Sequence, residues 1–176
     1  MYSKQQYRTV LAALFLAVGL VLPLLTAQVK EIGDSLLPMH LPVMLCGLLC
    51  GAAYGTAVGA MLPFLRSVIF GMPPLYPNAL WMALELATYG LVIGLVYAAL
   101  GRRRLLHVYV SLLTAMLVGR LVWGASKALL LGLSDKGFTL QAFIAGGFVD
   151  ALPGIVLQLI LIPLLMTLLR KWRSTT

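Results

Sequence analysis

Long apolar stretches separated by short polar ones run the length of the chain. Crossing about 30 Å of hydrocarbon takes about 20 apolar residues at a rise of 1.5 Å each, and the pattern predicts six helical segments. They are residues 7–26, 42–53, 55–70, 79–100, 106–131 and 143–169. The second and third segments are short. They are either two tilted, tightly hinged helices of half the membrane depth, or the second segment begins before Pro42.

The composition is that of a membrane protein. The 176 residues are 61% hydrophobic and 10% charged, and the mean hydropathy is +1.00, whereas soluble domains carry about 25% charged residues. We therefore expect an all-α polytopic membrane protein that forms one six-helix domain over residues 1–176. The first apolar run is long enough for a full span and lacks an A-x-A site, so it does not read as a cleaved signal peptide.

Basic residues flank the predicted spans and account for the net charge of +8. Such clusters are typical of cytoplasmic loops, and they are not interleaved with aromatic residues, so no nucleic acid partner is expected. With six spans all the clusters fall on one side, which predicts that the N- and C-termini are both cytoplasmic. The clustered residues are Lys4, Arg8, Arg102, Arg103, Arg104, Arg170, Lys171 and Arg173. The opposite, outer side receives the longer connections 28–39, 71–78 and 132–140, where binding residues tend to gather.

Several ionisable side chains lie inside the predicted spans. Inserting an ionisable group at membrane depth costs about 2.5–3.5 kcal/mol on insertion scales, so a structural or functional role is expected for each one. Glu85 and Asp150 lie about two turns inside the fourth and sixth segments. Arg120 and Lys127 share a face of the fifth segment, and Arg66 lies in the outer half of the third. These residues predict either a water-accessible cavity that opens outward or buried ion pairs, for example Glu85 with Arg120.

Aromatic side chains accompany these charges. Trp81 and Tyr89 are each four residues from Glu85 and therefore share its helix face. Trp123 is three residues from Arg120 on the fifth segment. Aromatic faces and a few charges suit a small polar heterocycle or a polyol better than an inorganic ion. Each aromatic residue alone is more often part of the packing or of an interfacial belt.

His40 lies between two prolines in the stretch LPMHLPVMLCGLLCG, residues 37–51. Pro42 disfavours helix for the residues before it and has no amide donor, so we expect a bent approach and a helix that begins near Pro42. The imidazole at the mouth of this segment either contacts a ligand or only caps the membrane interface. Asn78, which opens the fourth segment beside Pro77, is a further candidate for a ligand contact.

Small residues form a second pattern. Ala13 and Ala17 make a small-x-x-x-small stripe on the first segment, and such stripes let helices approach closely in lipid. This stripe either packs internally or docks a partner. Glycines recur at intervals of four through the second and third segments and predict internal packing. They are Gly47, Gly51, Gly55 and Gly59.

No motif for catalysis or nucleotide hydrolysis is present in the sequence. There is no phosphate-binding loop, G-x-S-x-G, H-E-x-x-H or paired-aspartate lipid-transferase motif. Cys46 and Cys50 are four residues apart on one predicted helix, and without a histidine or a third cysteine they indicate packing rather than a metal site. We therefore expect neither an enzyme nor a cofactor or metal.

Three stretches resemble a known class of membrane protein. They are LPMHLPVMLCGLLCGAAYGTAVG, FGMPPLYPNALWMALELATYGLVIGLVY and ALPGIVLQLILIPLLMTLL, which begin at Leu37, Phe70 and Ala151. Together with six spans, polar outer loops and the alanine stripe, they resemble the S component of an energy-coupling factor (ECF) vitamin transporter. An S component is the substrate-binding membrane subunit of such an importer.

The resemblance implies a multi-pass protein of the cell membrane that captures a water-soluble vitamin from outside. The vitamin would lie in a nearly closed cavity made by the first outer loop and the outer halves of the later helices. The protein would then dock through Ala13 and Ala17 onto a membrane scaffold subunit driven by two cytoplasmic ATPases, topple, and release the vitamin inward. His40 ends the loop expected to act as a lid, which favours the ligand contact for this residue.

The candidate substrate-binding residues are His40, Asn78, Trp81, Glu85, Tyr89, Arg120, Trp123, Lys127 and Asp150. The acids could pair with an amine or a ring nitrogen, and the bases could hold a carboxylate or hydroxyls. We favour a vitamin B6-type pyridine or a related pyrimidine, followed by pantothenate. Two alternatives are a non-transport scaffold or assembly protein with structural ion pairs, and a stand-alone secondary carrier, although no inverted repeat is evident.

Overall fold

The computed structural model describes residues 3–26, 36–101, 104–132 and 139–175. In these ranges it contains α-helices joined by short turns, and no strand, which confirms the predicted all-α class. The helices are α1 (Lys4–Val21), α2 (His40–Cys50), α3 (Ala52–Phe70), α4 (Leu80–Ala99), α5 (Leu105–Gly132), α6 (Leu140–Ile144) and α7 (Leu152–Thr175). The predicted loop residues 28–35 and 133–138, and the basic residues Arg102 and Arg103, lie outside the described part.

Three short elements complete the description. The 3₁₀ helix Leu22–Thr26 extends α1. The turn Leu75–Ala79, in which the backbone of Tyr76 is extended with φ −126° and ψ 137°, leads into α4. The π-helical turn Ala145–Val149 joins α6 to α7. The sixth predicted segment is therefore continuous but not a straight helix. The π-helical turn places more residues in a turn than an α-helix does, so it shifts the helix faces on which the residues after it lie.

Five of the apolar stretches are long enough to cross a membrane. They are Lys4–Leu24, Ala52–Phe70, Leu75–Ala99, Leu105–Leu131 and Leu140–Leu169. The apolar helix α2 has only 11 residues, which is about 16 Å at the helical rise and roughly half the hydrocarbon thickness. The expectation of a half-depth helix is thus right for α2 and wrong for α3, which has 19 residues.

The chain reverses between α2 and α3 at a single glycine. Gly51 has φ 102° and ψ 171°, a left-handed region that side chains other than glycine rarely adopt. Because the turn needs only this residue, α3 begins at Ala52 rather than at Gly55 as predicted. The earlier start gives α3 the length of a full span.

Helix α2 begins at His40, two residues before the predicted start. Pro42 therefore lies in the first turn, where backbone N–H groups have no acceptor within the helix. The N–H that proline lacks therefore costs no helical hydrogen bond. The approach is bent as expected, with Leu37 at φ 51° and the backbone N–H of His40 donating to the carbonyl of Leu37 at 3.0 Å. As a result the His40 side chain is buried, with 3% of its surface exposed.

Helices α2, α3 and α4 pack through glycines. A methyl group at Gly47 would lie 2.7 Å from the carbonyl oxygen of Gly90, and one at Gly55 would lie 2.8 Å from the Cα of Gly47. A methyl at Gly59 would meet the carbonyl of Leu86. The prediction of internal packing is confirmed for Gly47, Gly55 and Gly59, whereas Gly51 forms the turn between α2 and α3. Close backbone contact matters here because apolar sequestration does not drive helix association within lipid.

Helix α1 covers one side of this core and leaves its own other side uncovered. Ala12 and Gly19 are buried against α2 and α3, whereas Ala13 and Ala17 are exposed. The predicted alanine stripe therefore does not pack internally within the described part of the chain. It faces outward from the bundle.

Replacing Gly90 with alanine should weaken the packing of α3 against α4. The added methyl would meet the backbone of Gly55, which cannot swing aside, so we expect the free energy of unfolding to fall by about 1–3 kcal/mol. Cys46 and Cys50 are buried free thiols, so a thiol-reactive dye can report thermal unfolding in detergent. Leu91→Ala, at an exposed neighbouring position, is the control and should change the unfolding temperature little. Equal stability of Gly90→Ala and the wild-type protein would contradict the close packing.

Candidate functional site

A buried carboxylate lies between two buried bases near the start of α4. The Oε1 atom of Glu85 accepts a hydrogen bond of 3.0 Å from Nη1 of Arg120 on α5 and lies 3.4 Å from Nε2 of His40 on α2. The three residues are 2%, 4% and 3% exposed, respectively. The predicted pairing of Glu85 with Arg120 is therefore present. One carboxylate oxygen brings together three helices.

Tyr89 supports this arrangement from one turn further along α4. Its ring is 1% exposed and meets the ring of His40 edge-on, with 5.0 Å between ring centroids. On its other side it lies against Gly119, where a methyl group would be 2.7 Å from the ring. Because Gly119 has no side chain, α5 can approach α4 closely enough for the next residue, Arg120, to reach Glu85.

Two tryptophans flank the ammonium group of Lys127. Its Nζ lies 4.6 Å from the ring centre of Trp123 and 5.3 Å from that of Trp81. The guanidinium carbon of Arg120 lies 5.9 Å from the same Trp123 ring. Cation–π contacts of this kind are worth about 0.5–2 kcal/mol each. The Trp123 ring thus connects Lys127 with the ion pair.

These contacts define the Glu85 cluster, which consists of His40, Trp81, Glu85, Tyr89, Arg120, Trp123 and Lys127. All of its members were predicted as site residues, and they come from helices α2, α4 and α5. Apart from the half-buried Lys127, each is at most 9% exposed. At these side chains the structure therefore shows buried contacts rather than the outward-opening cavity that the sequence predicted as one alternative.

Asn78 and Asp150, the other predicted site residues, are placed differently. Asn78 is half-buried in the turn Leu75–Ala79, and Asp150 is exposed at the end of the turn Ala145–Val149. Within the described residues neither side chain joins the Glu85 cluster by an ion pair or a hydrogen bond. Asp150 directly follows the π-helical turn Ala145–Val149, which the prediction of one helical segment over 143–169 did not include.

Arg66 on α3 has a separate role. Its Nη1 donates to the carbonyl oxygen of Leu20 at 3.0 Å, and its guanidinium carbon lies 5.5 Å from the centre of the Phe70 ring. This buried arginine therefore ties α3 to the end of α1. It provides a comparison for Arg120, because both are buried and only one lies in the cluster.

Several nitrogen atoms of the cluster have no hydrogen-bond partner among the residues that the structure describes. They are Nδ1 and Nε2 of His40 and Nε and Nη2 of Arg120. His40 Nε2 is close to Glu85, but the geometry is not that of a hydrogen bond. An unsatisfied buried donor costs about 1–3 kcal/mol, and buried polar groups in native proteins nearly always have partners. Unsatisfied buried donors make this cluster a candidate position for a bound molecule.

Sequence reasoning missed two residues that matter for the interior. Gly119 permits the approach of α5, and nothing in its local sequence distinguishes it from a packing glycine. Gln158 on α7 is 1% exposed, and its Nε2 has no partner. The signal for Gln158 was available, since it is the one polar residue in the run 152–166.

Two apolar grooves lie on the described surface, and neither is lined by a residue of the Glu85 cluster. One, of about 390 Å³, lies between α5 and α6, and the other, of about 290 Å³, lies on α1. The second is lined by Ala17, Val18, Val21 and Leu22. The exposed alanine stripe and this second groove therefore lie on the same helix, α1.

The family model for the substrate-specific component of ECF transporters matches residues 8–166. The chain therefore belongs to this family, as its resemblance predicted. It is a transport subunit rather than an enzyme or a non-transport assembly protein, and it is an integral protein of the plasma membrane. Family membership also implies a small-molecule substrate and partnership with the ECF scaffold and ATPase subunits. Comparisons with curated proteins and with solved structures found no match.

Removing either partner of the Glu85–Arg120 pair alone should lower the free energy of unfolding. Each single loss should exceed half of the loss caused by removing both partners. Breaking a buried ion pair from one side costs about 3–5 kcal/mol, because the remaining charge is left buried and unpaired. A double-mutant cycle of Glu85→Gln and Arg120→Gln, measured by thermal unfolding in detergent, should therefore give a coupling of about 1–3 kcal/mol.

Arg66→Gln supplies the control for this cycle. Its guanidinium is bound to the Leu20 carbonyl, so Glu85→Gln and Arg66→Gln should be additive within about 0.5 kcal/mol. If the effects of Glu85→Gln and Arg120→Gln on the free energy of unfolding were additive to the same degree, the buried pair would not contribute to the stability of the folded state.

Proposed function

We propose that the chain captures a water-soluble vitamin, or a vitamin precursor, from outside the cell for an ECF-type importer. The observation that carries this proposal is the Glu85 cluster, in which ionisable groups from three helices meet and buried nitrogen atoms of His40 and Arg120 lack partners. A purely structural ion pair would be expected to satisfy its own donors. Family membership supports a small-molecule substrate, and the cluster supports a polar one.

The distribution of basic residues supports an outward-facing site. Glu85 lies near the end of α4 that follows the turn Leu75–Ala79. Lys127 lies near the end of α5 at residue 132. Arg104 lies at the opposite end of both helices and is exposed. Since basic residues favour the cytoplasmic side, this arrangement favours cytoplasmic termini and a cluster in the outer half of the membrane.

The partners of Glu85 bear on the choice of vitamin. A vitamin B6-type pyridine or a related pyrimidine needs an acid for its ring nitrogen or amine. In the described part of the chain, Glu85 is the acid of the cluster and already accepts from Arg120, while Asp150 is exposed. The atoms that lack partners belong to bases. The geometry therefore supports an anion of the pantothenate type over the B6-type ring, the reverse of the order that the residue types suggested.

We also propose that α1 is the docking face for the scaffold subunit. Ala13 and Ala17 are exposed, and Ala17 lines the groove on α1. Exposed small residues let a neighbouring membrane helix approach closely. The scaffold could shift the subunit from an upright to a toppled state only by binding the toppled state more tightly. Exposed leucines at positions such as Leu95 and Leu117 keep the lateral faces apolar, which makes such a movement tolerable in lipid.

Protein purified in a mild detergent should retain a small polar metabolite. Mass spectrometry of the denatured sample should identify it, and adding it back should raise the unfolding temperature. Glu85→Gln removes the charge that positions His40 and Arg120, so we expect binding about 10- to 100-fold weaker. Arg66→Gln, at a buried arginine outside the cluster, should bind as tightly as wild type. An empty protein that no water-soluble vitamin stabilises would contradict the proposal.

Ala17→Leu should separate assembly from capture. The larger side chain would fill the groove on α1, so copurification with the scaffold and ATPase subunits and uptake by cells should both be lost. Vitamin binding by the isolated chain should be unchanged, because Ala17 lies outside the cluster. Ala57→Leu, at an exposed alanine of α3, is the control and should assemble normally. Normal assembly of Ala17→Leu would rule out α1 as the docking face.

A further inference from the structure

We propose that the unpaired edge of the Arg120 guanidinium is the subsite for a carboxylate of the substrate, an inference that rests on the proposed capture of a small molecule. The guanidinium is a rigid planar fork of N–H donors. Nη1 donates to Glu85 at 3.0 Å, whereas Nε and Nη2 have no partner in the described part of the chain. Nε and Nη2 lie on one edge of the plane and point the same way. Their spacing matches the two oxygens of a carboxylate, which such an edge binds with two parallel hydrogen bonds.

Arg120 presents this edge from a fixed position. Glu85 holds the guanidinium at Nη1, and the face of Trp123 lies 5.9 Å from its central carbon. Gly119 and the Tyr89 ring set the distance between α5 and α4. A preorganised donor loses little conformational freedom when a ligand binds, and that favours affinity. Since Arg120 is only 4% exposed, bulk water does not compete for the edge in this closed state.

His40 adds a second, differently shaped subsite beside the first. Its Nε2 lies 3.4 Å from the same Glu85 oxygen that Arg120 contacts, so the two basic side chains are neighbours. Neither ring nitrogen has a hydrogen bond, and a neutral imidazole offers one donor and one acceptor. This pair of atoms suits a hydroxyl or an amide adjoining the carboxylate. The substrate class is therefore a small carboxylic acid that also carries a hydroxyl or an amide.

The charges of the cluster favour the same class. A cationic amine would lie near both Arg120 and Lys127, with Glu85 as the opposing acid among the described residues of the cluster. Glu85 is already engaged by Arg120. A carboxylate would instead accept hydrogen bonds from Nε and Nη2 of Arg120, which point the same way and have no other acceptor among the described residues. A neutral ring without a carboxylate would leave the Arg120 edge unsatisfied.

The test uses the full-length protein in detergent and pairs of probes that differ at the carboxylate. The pairs are pantothenate with pantothenol, nicotinate with nicotinamide, and biotin with biotinamide, measured by calorimetric titration and thermal shift. At least one acid should bind, and its neutral partner should bind roughly 10- to 100-fold more weakly, as the loss of a charged bidentate pair implies. This comparison needs no variant, so it remains informative even if substitutions at Arg120 impair folding.

Arg120→Lys then tests the fork itself, since lysine keeps the charge and loses the bidentate edge. It should weaken binding of the acid by roughly 10-fold or more, and it should reduce the preference for the acid over its neutral partner. Arg66→Lys is the matched control and should keep the preference for the acid.

The outcomes separate this inference from the proposed function. Equal binding of both members of every pair, or preferential binding of an uncharged or cationic vitamin such as pyridoxine or thiamine, would overturn the carboxylate subsite and leave vitamin capture intact. Retention of the acid preference in Arg120→Lys would also overturn it. Failure of every probe to bind, together with the absence of a copurified metabolite, would contradict the proposed function and the subsite with it.

Discussion

The hydrogen-bonded ion pair between Glu85 and Arg120 is the interaction on which the rest of the site depends. Inside a membrane neither charge is tolerable alone, since burial without a partner is costly. The pair uses one nitrogen of Arg120, and the rigid fork of the guanidinium leaves Nε and Nη2 buried and unpaired. The same arginine therefore satisfies the fold on one side and offers hydrogen bonds on the other. Under the proposed function, this one side chain therefore links stability with substrate chemistry.

The half-depth helix α2 explains how His40 reaches this pair. The glycine contact between Gly47 and Gly90 holds α2 against α4. His40 lies about two turns before Gly47, and Glu85 lies just over one turn before Gly90, so the two side chains are at a similar level. Gly51 reverses the chain without further residues, and α3 returns along the same neighbours. Glycines thus position the polar residues, which is why a methyl at Gly90 should affect both packing and the site.

Local patterns were enough to predict the class of fold and most of the cluster. Hydropathy over about 20 residues is a local property, so the apolar segments were evident. Helical spacing placed Trp81 and Tyr89 beside Glu85, and the cost of intramembrane charge suggested its pairing with Arg120. The exposure of Asp150 could not be predicted, because local spacing does not reveal the π-helical turn Ala145–Val149 that precedes it. The unpaired edge of Arg120, formed by Nε and Nη2, could not be predicted either, because it depends on which nitrogen donates to Glu85.

The most direct measurement is an experimental structure of the protein with its copurified ligand bound. The account predicts a carboxylate whose oxygens lie about 3 Å from Nε and Nη2 of Arg120, with Nη1 still donating to Glu85 and His40 beside the ligand. A ligand held at another place in the bundle, with Arg120 and His40 directed away from it into dry protein contacts, would contradict the account.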